Sequence, residues 1–217
     1  MSSRRYQLPD PSIQLVDDLI IRHIRPGSKV IDLGCGDGRL MERLKSELDC
    51  HVLGIDVERS NIAKVIGRGL PVVSTDLNRG LGDIPSDTFD FAVLSQTLQQ
   101  VQQPKQLLTE MLRVARSGLV VVPNFGHWRV RWEVLRRGRT PITDSLPFEW
   151  HESPNLHFMS MYDFRELMTS LGLKIAKERP IIRGRSMDQA WAANLRADSA
   201  FYLLVRRNDG DAIVAGD

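Results

Sequence analysis

Cysteine is scarce in this sequence: Cys35 and Cys50 are the only two in 217 residues. Two thiols cannot build the disulfide framework of a small secreted scaffold. An excess of charge of one sign is missing too. Lys and Arg number 29 against 27 Asp and Glu, a net charge of +2. That balance leaves no global field to gather nucleic acid or an anionic membrane, so any basic feature must be local. No apolar run nears the roughly 20 residues that span a bilayer. Met1 to Tyr6 lead into no apolar segment, so no signal peptide is expected. Repeats and convincing interdomain linkers are absent. His127, His151 and His157 are scattered, with no Cys or acid grouping beside them, and no metal site is expected. What remains is a soluble cytoplasmic protein, 42% hydrophobic and long enough to bury a real core.

What is present is alternation of short apolar runs with helical patterns. Asp10-Pro11 reads as N-cap and first helical residue, followed by Ile13, Val16, Leu19, Ile20 and Ile24 at helical spacing. Strands are expected at Lys29 to Leu33, His51 to Asp56, Pro71 to Ser74, Phe89 to Ser95, Leu119 to Val122, Leu173 to Arg179 and Phe201 to Arg206. Leu40 to Leu48, Ile62 to Ile66, Leu107 to Leu112 and Phe164 to Leu171 supply helices between them. This order predicts an α/β, Rossmann-like fold: a mostly parallel seven-stranded sheet with helices on both faces. One domain over residues 1–207 is expected, with an insertion at about 124–161 after strand five and a frayed tail at 208–217. A connection as long as that insertion is more often functional than idle.

A glycine loop follows the first strand, Asp32-Leu33-Gly34-Cys35-Gly36-Asp37-Gly38. A loop between a parallel strand and a helix gathers backbone N–H groups at one point. The dinucleotide fingerprint fails here, because its third glycine would fall at Arg39. Asp32, just before the loop, would repel a pyrophosphate but suits an ammonium group. Asp56 ends the second strand, 22 residues after Gly34, where a carboxylate can accept from ribose hydroxyls. Asp76-Leu77 follow the third strand, placed for an adenine edge and face. The set favours S-adenosylmethionine or S-adenosylhomocysteine over a nicotinamide dinucleotide, with Asp32, Gly34, Cys35, Gly36, Gly38, Asp56, Asp76 and Leu77 as candidate contacts. Cys35 reads as a small filler, since no base stands beside it. Asp37 reads as a helix N-terminal charge.

A catalytic signature is harder to find. After strand four stands Ser95-Gln96-Thr97-Leu98, not the Asn/Asp-Pro-Pro-Tyr segment in which enzymes methylating adenine or glutamine amino groups resemble one another, and the Pro-Cys nucleophile of cytosine C5 enzymes is absent from the sequence. Gln96 is a candidate pocket residue or a loop cap. His127 is a candidate general base, with packing or hydrogen bonding as its alternative. Trp128, Trp132 and Leu135 share one helix face, with Arg129, Arg131, Arg136, Arg137 and Arg139 around them. An amphipathic helix turning its apolar residues inward is the plain expectation. A protein-docking face is close behind, and RNA contact is disfavoured by the small net charge.

Val30 to Gly38, Gly54-Ile55-Asp56 and Thr75-Asp76 resemble the first three motifs of class I S-adenosylmethionine-dependent methyltransferases. Pro123-Asn124-Phe125-Gly126-His127-Trp128-Arg129-Val130-Arg131 is more distinctive. With Ser95 to Gln99, Pro154-Asn155-Leu156-His157 and Arg68 to Val72, it is similar to the methionine biosynthesis protein MetW family from about Tyr6 to Arg206. That resemblance implies a partner that supports the homoserine O-acyltransferase MetX, with methyl transfer not established. The segment after strand five then becomes the candidate partner surface: Asn124, Phe125, His127, Trp128, Arg129, Arg131 and Trp132. The alternative is a methyltransferase acting on a small molecule.

Overall fold

A computed structural model describes residues 11–142 and 149–206. Asp10, the expected cap, and the tail at 208–217 lie outside the described residues, as does Pro147. The chain runs α1 (Pro11–Ile21), β1 (Lys29–Leu33), α2 (Arg39–Leu48), β2 (His51–Asp56), α3 (Arg59–Gly67), β3 (Val72–Ser74), β4 (Phe89–Ser95), α4 (Pro104–Val114) and β5 (Ala115–Pro123). It continues with α5 (Trp128–Arg137), α6 (Met161–Ser170), β6 (Leu173–Ile182), β7 (Arg185–Ser186), α7 (Ala193–Arg196) and β8 (Ser199–Arg206).

One sheet is formed, in the order β3-β2-β1-β4-β5-β8-β6-β7. Neighbours from β3 to β5 pair in parallel, while β8 runs antiparallel to both β5 and β6. The sheet therefore has eight strands rather than seven. The extra one, β7, is a two-residue return of the β6 hairpin, too short to leave an apolar pattern in sequence.

Successive strand residues face opposite layers. Ile31, Ala92, Leu94, Val120, Val122 and Tyr202 pack with α4 and α6 on one side. Val30, Val93, Leu119, Val121 and Phe201 pack with α1 and α2 on the other. Both faces being covered explains runs such as Val120-Val121-Val122. The alternation also decides the position of Asp32. It lies between Ile31 and Leu33, so its side chain enters the layer of Val30, beneath α1 and α2.

Strands β1 and β4 are neighbours in the sheet but not in sequence. The chain leaves β1 toward β2 and β3, then returns to β4 on the other side. This is a topological switch point, and open α/β sheets bind ligands outside the carboxyl ends of strands there. Leu33, Asp56, Ser74 and Ser95 are those ends.

Candidate functional site

The glycine loop lies at the switch point and is closed on itself. The N–H groups of Gly34 and Cys35 both donate to the Ile55 carbonyl, at 2.8 and 3.0 Å. Gly38 N–H donates to Cys35 O at 3.0 Å. Gly36 N–H donates to Asp56 Oδ2 at 2.8 Å. A phosphate cradle needs such N–H groups free and convergent. Here a carboxylate and two carbonyls already take them, so the loop is not built for a pyrophosphate.

Gly34 itself has φ 81°, and a Cβ on it would stand 2.5 Å from Thr97 Oγ1. Glycine is required there for both reasons, and the loop consequently seats directly under the turn after β4. Gly38 ends the loop as the N-cap residue of α2. Asp37 caps this helix start by accepting Arg39 N–H at 3.2 Å, and it pairs with Arg68 at 3.2 Å.

Asp56 is buried, and both of its oxygens bind backbone. Oδ2 holds Gly36 as above, and Oδ1 accepts Glu58 N–H at 2.8 Å. Oδ2 also accepts Asn61 Nδ2 in a long 3.5 Å bond, while Oδ1 keeps a lone pair for a further donor. Asp76 is half-buried and uses Oδ1 to accept Asn78 N–H and Nδ2 at 2.9 and 2.8 Å, which leaves Oδ2 unbonded. Leu77, half-buried, packs on the core beside it.

Asp32 is the anomaly of the site. It is 4% exposed, and no hydrogen bond from a described residue reaches its carboxylate. Burial first, and the Asp56 charge second, push its pKa up to about 7. A buried carboxylate without a donor is costly unless a counter-charge is supplied. The group that fits beside it is a cation, not another anion. The Cys35 thiol is pushed up to about 12, chiefly by burial and then by the charges of Asp32 and Asp56. It is no nucleophile at neutral pH. Its sulfur instead packs against Gly54, where a Cβ would stand 2.7 Å away.

Gln96 follows β4 with a φ of 57°, unusual for a residue with a side chain. Its carbonyl accepts Nε2 of Gln99 at 2.8 Å and of Gln100 at 3.0 Å. Its own carboxamide is half-buried and makes no hydrogen bond among the described residues.

The residues after β5 divide into two sets. Asn124 and His127 are buried. Asn124 Nδ2 donates to the carbonyls of Asn194 and Ala197, both at 2.8 Å, while Oδ1 accepts from Gly126 and Met161 N–H at 3.0 and 3.3 Å. His127 Nδ1 accepts Arg129 N–H at 3.2 Å and caps α5, and Nε2 lies 3.6 Å from Asp198. Burial lowers the His127 pKa, with Asp198 opposing. Nδ1 is thus spent on the helix cap, and in a neutral ring the proton then sits on Nε2, which fits a hydrogen-bonding role better than a general base. Arg131 is exposed but ties back to Gly126 O at 2.8 Å.

The outer set corrects an expectation. Trp128, Trp132 and Leu135 do share a helix face, but that face looks outward, at 46%, 51% and 80% exposure. The residue that α5 buries is Val130, on the opposite side. Arg129 lies over the Trp128 ring at 5.6 Å. Trp150, Leu156 and Phe158 are exposed as well, and Phe158 meets half-buried Phe125 edge-on at 4.7 Å.

Sequence reasoning missed the turn at Gln96 to Gln102 as a junction, and it missed Asp17. This acid is buried on α1 and pairs with Arg39, next to the loop, and with Arg43 at 3.9 Å. The available signal was the acid pair Asp17-Asp18 set between the apolar residues Val16 and Leu19 of α1. Among the described residues, no group of three or more His, Cys, Asp or Glu side chains could hold a metal. Nor is any described helix long and apolar enough to cross a membrane.

Sheet order, switch-point loop and the three acids together define a class I S-adenosylmethionine methyltransferase-like fold. Solved structures agree. An S-adenosylmethionine-dependent methyltransferase of Archaeoglobus fulgidus matches with a TM-score of 0.66, covering 93% of this chain and 96% of that one at 13% identity. A Thermotoga maritima methyltransferase, described as a possible histamine N-methyltransferase, matches at 0.65, covering 91% and 90% at 14% identity. Within that class the chain belongs to the MetW family of methionine biosynthesis proteins, whose family model matches residues 16–204. A relative in Rhodopirellula baltica, the bifunctional methionine biosynthesis protein MetXA/MetW, is 32% identical over 92% of this chain. The chain spans about a third, 34%, of that longer protein.

Proposed function

We propose that this chain is a partner subunit that supports homoserine O-acyltransferase (MetX) in methionine biosynthesis, and that it binds S-adenosylmethionine or S-adenosylhomocysteine at the glycine loop. The observation that carries the partner reading is the Rhodopirellula relative, in which a MetW-like part and a MetXA part are one polypeptide. Fusion keeps two modules at high effective concentration, which is useful when they work together. The exposed Trp128, Arg129 and Trp132 then form the docking face, with Phe125 and Arg131 beside it. Asn124 and His127 hold that face in place from inside. Trp and Arg on an exposed apolar patch suit an interface hot spot. Copurification with the acyltransferase of the same organism tests this. A Trp128→Ala/Trp132→Ala variant that is folded should lose the complex. A complex unaffected by the double substitution would sink the docking face, and no complex with the unaltered chain would sink the partner.

Ligand recognition follows from the site's charges. Asp32 would meet the ammonium group, Asp56 the ribose hydroxyls, and Asp76 and Leu77 the adenine, with Gly34, Gly36 and Gly38 allowing close approach to the backbone and Gln96 facing the bound molecule from β4. The bound molecule would supply the counter-charge that Asp32 lacks.

A pH dependence results. Alone, Asp32 is protonated below about pH 7. Its raised pKa means that the folded state binds this proton more tightly than the unfolded chain does. The contribution of Asp32 to stability therefore falls as pH rises from about 4 toward 7. A cationic ligand favours the ionised form and pulls this pKa down. S-adenosylhomocysteine binding at pH 6 should release close to one proton, and affinity should rise from pH 5.5 to 7.5. Calorimetry in two buffers of different ionisation enthalpy measures the release. Equal apparent enthalpies in both would remove Asp32 from the ammonium site.

The second reading, a small-molecule methyltransferase, rests on the same loop and on the unbonded carboxamide of Gln96. Turnover of labelled S-adenosylmethionine with a metabolite pool would establish it, and a lack of turnover beside measurable binding favours the partner reading.

A further inference from the structure

The turn Gln96 to Gln102 touches three things at once. Beneath it, Thr97 packs on Gly34 of the glycine loop. At its far end, Gln102 N–H donates to Asn78 Oδ1 at 2.7 Å, and Asn78 is held by Asp76. On its outer side, the Gln99 carbonyl accepts the N–H groups of both Leu156 and His157, at 2.8 and 3.1 Å. His157 Nε2 adds a 2.9 Å bond to the Val101 carbonyl. Residues 154–159 thus lie as a strap on the turn. The strap carries exposed Leu156 and Phe158 outward and reaches the segment between β5 and α5 through Phe125 N–H to Met159 O, 3.0 Å.

We infer that this turn couples the two proposed sites: occupancy of the glycine-loop site fixes the strap, and with it the aromatic face offered to a partner. The inference rests on the ligand reading above and adds its regulation. Coupling needs an element with two arrangements, and the turn has the marks of one. Gln96 sits in sparsely populated backbone at φ 57°, held there by the carboxamides of Gln99 and Gln100. Gln99 is 3% exposed, yet its Oε1 is buried with no donor. An acceptor left unsatisfied in this packing favours a rearrangement that would satisfy it. A ligand lying between Gly34, Asp76 and Gln96 would contact the turn and select one arrangement. By linkage, a partner that prefers the same strap position would tighten ligand binding by the same factor.

Hydrogen exchange on the chain alone tests this, with and without saturating S-adenosylhomocysteine. In the unaltered chain, the Leu156 and His157 amides should exchange about tenfold or more slowly when ligand is bound, a factor typical of such coupling. His157→Ala should abolish that slowing while calorimetric affinity for S-adenosylhomocysteine stays within about threefold, since residues distant from a ligand alter its binding modestly. His157→Gln, whose carboxamide can still donate to Val101 O, should restore it. That rescue separates loss of the link from loss of the fold. Protection confined to the glycine loop and the Asp76 loop would overturn the inference. So would protection at Leu156 and His157 that survives His157→Ala. Absence of ligand binding by calorimetry would instead be a failure of the ligand reading itself, and coupling would fall with it.

Discussion

Asp56→Ala should weaken S-adenosylhomocysteine binding by about 100-fold or more. Two hydrogen bonds from ribose hydroxyls to a charged acceptor are worth about 1.5–3 kcal/mol each, so their loss alone exceeds two powers of ten. The loop suffers as well, because Gly36 and Glu58 N–H both lose their acceptor. Asp56→Asn should be nearly as damaging. Each oxygen of Asp56 accepts a backbone N–H, so an Asn would turn its NH2 group against one of those donors. Calorimetry reads the affinity, and a melting curve checks that the variants are folded. An affinity within threefold of the unaltered chain would place the ligand somewhere other than the glycine loop.

Asn124→Ala should cost roughly 3–5 kcal/mol of stability, as breaking a buried, fully used polar group does. The side chain satisfies the carbonyls of Asn194 and Ala197 and the N–H groups of Gly126 and Met161. The four groups come from three separate parts of the chain, and truncation strips the carbonyls of Asn194 and Ala197 and the Gly126 N–H of this partner, while Met161 N–H keeps Asn194 Oδ1 at 3.0 Å. Asn124→Asp offers no rescue, since its second oxygen would face two carbonyls. Urea unfolding of the two variants measures the loss, and a change below about 1 kcal/mol would show that water replaces the side chain, as it can at polar sites. Because α5 starts four residues after Asn124, the variant should also weaken any complex made through Trp128 and Trp132.

Much of the fold was legible because strands buried on both faces are short apolar runs with glycine or acid at their ends. Lys29–Leu33, His51–Asp56 and Phe89–Ser95 were bounded to the residue. The positions of the loop and of Asp56 were legible for the same reason, since both stand where an apolar strand run ends. Two features escaped. The direction of the α5 face could not be read, because periodicity groups Trp128, Trp132 and Leu135 without saying which side meets the core. Burial of the isolated Val130 decides that, and it depends on tertiary packing. The junction at Gln96 to Gln102 escaped because it is made by backbone carbonyls, which any sequence supplies. The run Pro123 to Arg131 was recognised as distinctive, but its division into an inner frame of Asn124 and His127 and an outer face of Trp128 and Trp132 required burial and hydrogen-bond partners.

As proposed, this chain is a ligand-responsive support for an acyltransferase rather than a methyl-transferring enzyme. The most direct measurement is the initial rate of homoserine O-acylation by the acyltransferase of the same organism, alone and with an equimolar amount of this chain, each with and without S-adenosylmethionine. The rate should rise several-fold with the chain and change again, in either direction, when S-adenosylmethionine is added; coupling of about 1–3 kcal/mol between sites sets the scale of that second change. A rate unchanged by the chain under all four conditions would contradict this role.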